Sequence, residues 1–128
     1  MNRFSAYGAV LLRVAVGGVL FHHGLAKLHE GVPAVGEFLH NAGVPAATIA
    51  AVVVIAVETL GAACLVVGVF TRFWAACVAV EMVVAIWAVK LPAHGSVDLE
   101  VMLFAGALAL VALGDGPLSL AIGLKRRG

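Results

Sequence analysis

The chain has 128 residues, of which 63% are hydrophobic and 12% charged, with a mean hydropathy of +1.12 and a net charge of +1. Soluble domains carry about 25% charged residues, so a water-soluble globule is excluded, and the absence of a basic block speaks against a nucleic-acid partner. Cys64 and Cys77 lie in apolar stretches with no C-x-x-C motif, which speaks against a disulfide framework or a thiolate metal centre.

A membrane-crossing helix needs about 20 mostly apolar residues. Four stretches qualify, at 7–29, 47–70, 73–91 and 98–113, within a single domain covering 1–128. The pattern predicts an all-α integral membrane four-helix bundle.

The first stretch contains Arg13 where a cleaved signal peptide would be uninterrupted, so it is expected to be retained. Gly17 and Gly24 place small residues where another helix can approach closely. The connection 31–45 is semi-apolar with turn residues at both ends, and is expected to form a short helix on the bundle mouth or a re-entrant cap. The third stretch has Trp74 and Trp87 near its two ends, the usual position of interfacial anchors. After the fourth, Gly114-Asp115-Gly116-Pro117 breaks the helix, and the apolar tail 118–124 is too short to span. Positive charge gathers on one side at Arg3, Arg72, Lys125, Arg126 and Arg127, against Lys27 and Lys90 on the other. Both termini are therefore expected in the cytoplasm.

Ionisable residues at membrane depth are costly and tend to face the bundle interior, where they pair. The chain has Arg13, His22, His23 and Lys27 in the first stretch, Glu58 in the second, Glu81 in the third and Glu100 in the fourth. At a rise of 1.5 Å per residue, Arg13 and Glu81 lie about 9 and about 12 Å from the inner side, which predicts a structural ion pair. Lys27 and Glu100 each lie about 3 Å inside the outer side, a second plausible pair. Glu58 is near mid-membrane, within reach of His23 or Arg13. His22 points about 100° away from His23, so at most one of them shares a cavity with Lys27. The histidines lack the i, i+4 spacing of paired metal ligands, and no metal site is expected. The bland alternatives are that Arg13 and Lys27 snorkel to the nearest interface and that Glu100 is a helix N-terminal acid.

Several segments resemble the DoxX family in order. LLRVAVGGVLFHHGLAKL, ending in His23-Gly24-x-x-Lys27, looks like its first helix. VETLGAACLVVGVFTR, MVVAIWAVKLPAHG and DLEVMLFAGALALVALGDGPLSL resemble its later helices. The resemblance implies a four-helix membrane bundle in a bacterial plasma (inner) membrane. By matching position it makes Arg13, His23, Lys27, Glu58 and Glu100 the characteristic polar residues. The chain departs from the family at Leu118, where an aromatic residue usually stands, and at Glu81, which has no family counterpart. Proteins similar to this one serve membrane redox systems, as subunits of thiosulfate:quinone oxidoreductase, as quinone-related reductases, or as a scaffold joining detoxifying enzymes.

The leading expectation is a subunit of a membrane redox system that binds a quinone or similar ligand. Its cavity is expected to be lined by Arg13, His23, Lys27, Glu58 and Glu100, with Glu58 as the proton-relaying, catalytic residue. No electron carrier is encoded, so redox chemistry requires a bound cofactor, or a partner in a membrane complex or homo-oligomer. A structural or assembly subunit is the second reading. A small transporter is the third, disfavoured by the absence of an inverted repeat.

Overall fold

A computed structural model describes residues 3–120 and Gly123. The expected basic cluster Lys125, Arg126 and Arg127 lies outside these residues, as do residues 121, 122 and 124 of the apolar tail. Among the described residues, all regular structure is helical, in five helices: α1 (Arg3–Glu30), α2 (Val32–Asn41), α3 (Ala47–Val67), α4 (Thr71–Lys90) and α5 (Asp98–Leu113).

Three of these are long and apolar enough to cross a membrane: α1 over Phe4–Glu30, then α3 and α4. The expectation of four spans is met only in part. The 16 residues of α5 extend about 24 Å, less than the roughly 30 Å of a bilayer core. The connection expected to be a short helix or a re-entrant cap contains α2. Gly31, at φ 94°, turns the chain out of α1, and a proline in the first turn starts the new helix.

Two helices contain a wide π turn. In α3 it covers Val57–Gly61, and in α4 it covers Ala85–Lys90. Each turn holds one ionisable residue, Glu58 and Lys90 respectively. α3 ends at Val67, short of the expected 70, because Gly68 adopts φ 78° and closes the last carbonyls in a left-handed cap.

The main core joins four helices. Val16 and Leu20 of α1 pack with Ala62 and Leu65 of α3, Val78 and Met82 of α4, and Leu103 and Leu110 of α5. A satellite core of Val35, Leu39, Ala51 and Ile55 fixes α2 on the first half of α3. The outer surface is itself apolar, with Phe4, Leu11, Ile49 and Met102 largely exposed. That is the reverse of a soluble protein and suits a hydrocarbon surround. Trp87 is on this surface, at 69% exposure, whereas Trp74 packs against the core with its ring over Gly61.

α1 and α3 meet through glycine. A Cβ on Gly17 would lie 2.8 Å from the Ala62 carbonyl oxygen, and one on Gly24 would collide with the Glu58 carbonyl. Small residues let helix backbones approach to this degree in lipid, where packing replaces the hydrophobic effect as the associating force.

Candidate functional site

The close approach at Gly24 determines what the next turn of α1 can reach. Lys27 lies three residues on and donates from Nζ to Oε1 of Glu58 at 2.8 Å. The Glu58 side chain is 5% exposed and the Lys27 side chain 34%. An ammonium with a partly wet stem thus holds a carboxylate that water barely reaches. An unpaired carboxylate this deeply buried would be costly, which accounts for the pairing.

A second pair closes the same end of the bundle. Lys90, in the π turn of α4, has Nζ 3.3 Å from Oε1 of Glu100 in the first turn of α5. A short connection joins the two helices, so the pair bridges the mouth of that hairpin.

Between the two pairs is a cavity of about 330 Å³. Its polar lining comes from His23, Lys27, Glu58, Glu81, Lys90 and Glu100. Its apolar walls include Leu20, Met82 and Leu103 from the spanning core, and α2 adds Phe38 and Leu39. Small-ligand sites have this character, with mostly apolar walls and a few convergent polar groups. Glu58 and Lys90 both sit in π turns, a local geometry that recurs at functional sites.

Glu81 is the side chain whose expected place changes most. The depth estimate paired it with Arg13. Instead it lines the cavity, within electrostatic reach of Glu58 and Lys27. Both of its carboxyl oxygens are buried with only the Glu58 carboxyl beside them as a hydrogen-bond partner, and Oε2 of Glu100 is buried without one. The lining therefore holds three carboxyl groups and two ammonium groups, and Glu81 has no cation of its own.

Arg13 does not line the cavity. It is 1% exposed, and Nη2 donates to the Leu118 carbonyl at 3.0 Å and, more weakly, to that of Pro117 at 3.5 Å. The expected Arg13–Glu81 ion pair is absent because Arg13 lies about 21 Å along α1 from Lys27, at 1.5 Å per residue, level with the turn between α3 and α4. There the chain after α5 folds back on the bundle, and Asp115 accepts from the Thr71 amide at 3.4 Å. Gly68 makes room for the guanidinium, since a Cβ there would occupy the position of Nη1. Arg13 thus fastens the segment after α5 and lies outside the lining of the cavity.

The expected Lys27–Glu100 pair is also replaced. Lys27 takes Glu58, and Glu100 takes Lys90. His23 lines the cavity; His22 is exposed and meets His23 edge to face, with ring centroids 5.8 Å apart. No group of metal-ligating side chains occurs among the described residues. Lys90 and the α2 residues were absent from the expected site. The short link between the third and fourth apolar stretches was the available signal, because it forces Lys90 and Glu100 together.

Comparison with known proteins adds two findings. The family model for DoxX matches residues 8–91. A Bacillus subtilis (strain 168) protein named "Putative oxidoreductase CatD" is 31% identical over 122 residues, covering 94% of this chain and 89% of that protein. No solved structure matches the chain.

Proposed function

The chain belongs to the DoxX family, and we propose that it is a membrane-embedded subunit of a redox system that binds a quinone or similar small ligand between its helices. The observation that supports this reading is the cavity of about 330 Å³ walled by apolar side chains and closed by the Lys27–Glu58 and Lys90–Glu100 pairs. Its volume falls within the range of small-ligand sites, about 300–1,000 Å³. The name of the Bacillus subtilis relative points the same way.

In this reading, the apolar walls hold the ring and the charged groups orient its oxygens. Glu58, already fixed by Lys27, is the group placed to take and return a proton. Electrons come from, or pass to, a partner protein. The chain lies in a bacterial plasma membrane with α1, α3 and α4 spanning, α5 entering as a fourth pass, and both termini in the cytoplasm.

The test begins with the purified chain. Lipids extracted from it are examined for quinone, and menadione and decylubiquinone are titrated into the protein in nanodiscs. Saturable binding weakened by Glu58→Gln is expected. No extracted quinone and no binding above empty nanodiscs would defeat the proposal.

A second reading has its own support, because each ion pair ties two different helices together. As an assembly subunit, the chain would co-purify with a larger complex, and Glu58→Gln would break the complex without altering any ligand affinity.

A further inference from the structure

Resting on the ligand reading above, we propose that the cavity opens sideways into the bilayer, between the first half of α3 and the last turns of α4, and that it takes a long-chain amphiphile. The polar head enters from the lipid, and the apolar chain stays in that opening.

The two cores part at this level of the bundle. The first half of α3, Ala47–Ala56, buries Ala51 and Ile55, and both pack in the satellite core against α2. α4 contributes to the main core as far as Met82. Beyond it, no residue of Ala85–Lys90 is buried. Neither core joins these two segments. The cavity lies in the cleft between them, lined by Val54 on one side and by Val84 and Val89 on the other.

The cavity has a closed floor and an open rim. Leu20, Met82 and Leu103 on the floor are buried. Phe38, Val84 and Leu99 line the same cavity, yet they are 57%, 43% and 41% exposed. A side chain that both lines a cavity and reaches the surface stands at its opening. Val84 lies about 9 Å along α4 from Lys90, and Val54 about 10 Å along α3 from Ala47. Both positions are inside segments long and apolar enough to cross a membrane. The apolar edge of the rim therefore meets hydrocarbon. The charged edge differs, because Lys27 and Lys90 are partly exposed near the ends of their helices.

A rim divided in this way matches a ligand with a polar head and an apolar chain. At about 330 Å³ the cavity is near the lower end of small-ligand sites, about 300–1,000 Å³. It has room for a ring, and a chain of several isoprene units must lie outside it. Passing through a wet mouth, that chain would meet water at a cost that grows with every methylene. Passing through the apolar edge, it never leaves hydrocarbon. Lipid is as apolar as the walls of the cleft, so the chain is held there by packing contacts. Filling the edge should therefore act on chained ligands more than on a bare ring.

The experiment uses the full chain in nanodiscs, with affinities expressed as mole fraction in the bilayer. The probes are menadione, a bare ring, and menaquinone-4, the same ring with a tetraprenyl chain. Val84→Trp fills the apolar edge from α4 without removing a charged group. It is expected to weaken menaquinone-4 at least fivefold more than menadione. A diazirine carried in a ten-carbon chain on the same ring is expected to label the segments containing Val54 and Val84, and excess menaquinone-4 should suppress that labelling. The inference is overturned if Val84→Trp leaves menaquinone-4 unchanged or weakens both probes equally. Labelling at Val54 and Val84 that excess menaquinone-4 does not suppress overturns it as well. In each of these cases, saturable menadione binding leaves the ligand reading standing. If neither quinone binds saturably, both fall. Should Val84→Trp fail to fold, the labelling of the wild-type chain decides.

Discussion

Lys27 reaches Glu58 at 2.8 Å one turn beyond the point where Gly24 presses against the Glu58 carbonyl. The ion pair and the helix contact are thus parts of one joint between α1 and α3. Removing either half should loosen the other.

Lys27→Met leaves the Glu58 carboxylate buried without its cation. Breaking a fully buried pair costs about 3–5 kcal/mol. Lys27 is partly exposed, so we expect a loss of about 2–3 kcal/mol, below that range because a partly wet pair contributes less. Thermal unfolding in detergent measures it. Lys27→Met combined with Glu58→Gln should recover much of the loss, and a double-mutant cycle gives the coupling. Lys90→Met, at the more exposed pair, should cost under about 1 kcal/mol.

Gly24→Ala should be destabilising by about 1–3 kcal/mol, because the added methyl must displace the α3 backbone. Gly18, six residues earlier on α1, has nothing within 4 Å of a built Cβ. Gly18→Ala should be neutral or stabilising by up to about 1 kcal/mol through helix propensity. Equal unfolding temperatures for the two variants would contradict the packing described.

Arg13→Met removes the donor that holds the Pro117 and Leu118 carbonyls. Faster proteolysis in the segment 114–120 is expected, with cavity binding of menadione within twofold of wild type. Mass spectrometry of the cleaved protein in nanodiscs locates the cut. A large loss of ligand binding would show that the Arg13 contact and the cavity are coupled.

Glu81→Leu should raise thermal stability. The substitution removes a buried carboxyl that faces the Glu58 carboxyl with no cation of its own, a buried polar group of the kind that costs about 1–3 kcal/mol. Gain of stability on removing it is the usual signature of a residue kept for a site. Calorimetry of the protein in nanodiscs measures the change.

The helical class was legible in the sequence, because it follows from composition, and so was the common level of Lys27 and Glu100, whereas the rise per residue misplaced Glu81 beside Arg13. Partner choice was not legible, because it depends on rotation about the helix axis. Lys27 and Glu100 do stand at one level of the bundle, yet each pairs elsewhere. The π turn at Val57–Gly61 alters the direction in which Glu58 points, and nothing in VETLG announces it. Glu81 was matched to Arg13 by depth and charge sign alone, and the separation of those two ends of the bundle prevents the contact. α2 was foreseen as one of two possibilities for the connection, but its place beside the cavity depends on the Val35 and Leu39 packing against α3. The fourth span was inferred from apolarity across 98–113, and the helix there proves short.

The two wide turns have a consequence for how this protein can vary. A π turn is an α-helix that has absorbed one extra residue locally while the flanking turns stay in place. Deleting a single residue within Val57–Gly61 would return α3 to regular winding without moving its ends. The neighbours would still find their packing surface, but the carboxylate would swing by about 100° away from the lysine. The scaffold and the chemistry of this chain are therefore separable by chain length, and a relative one residue shorter at that turn should keep the architecture and lack the Lys27–Glu58 pair.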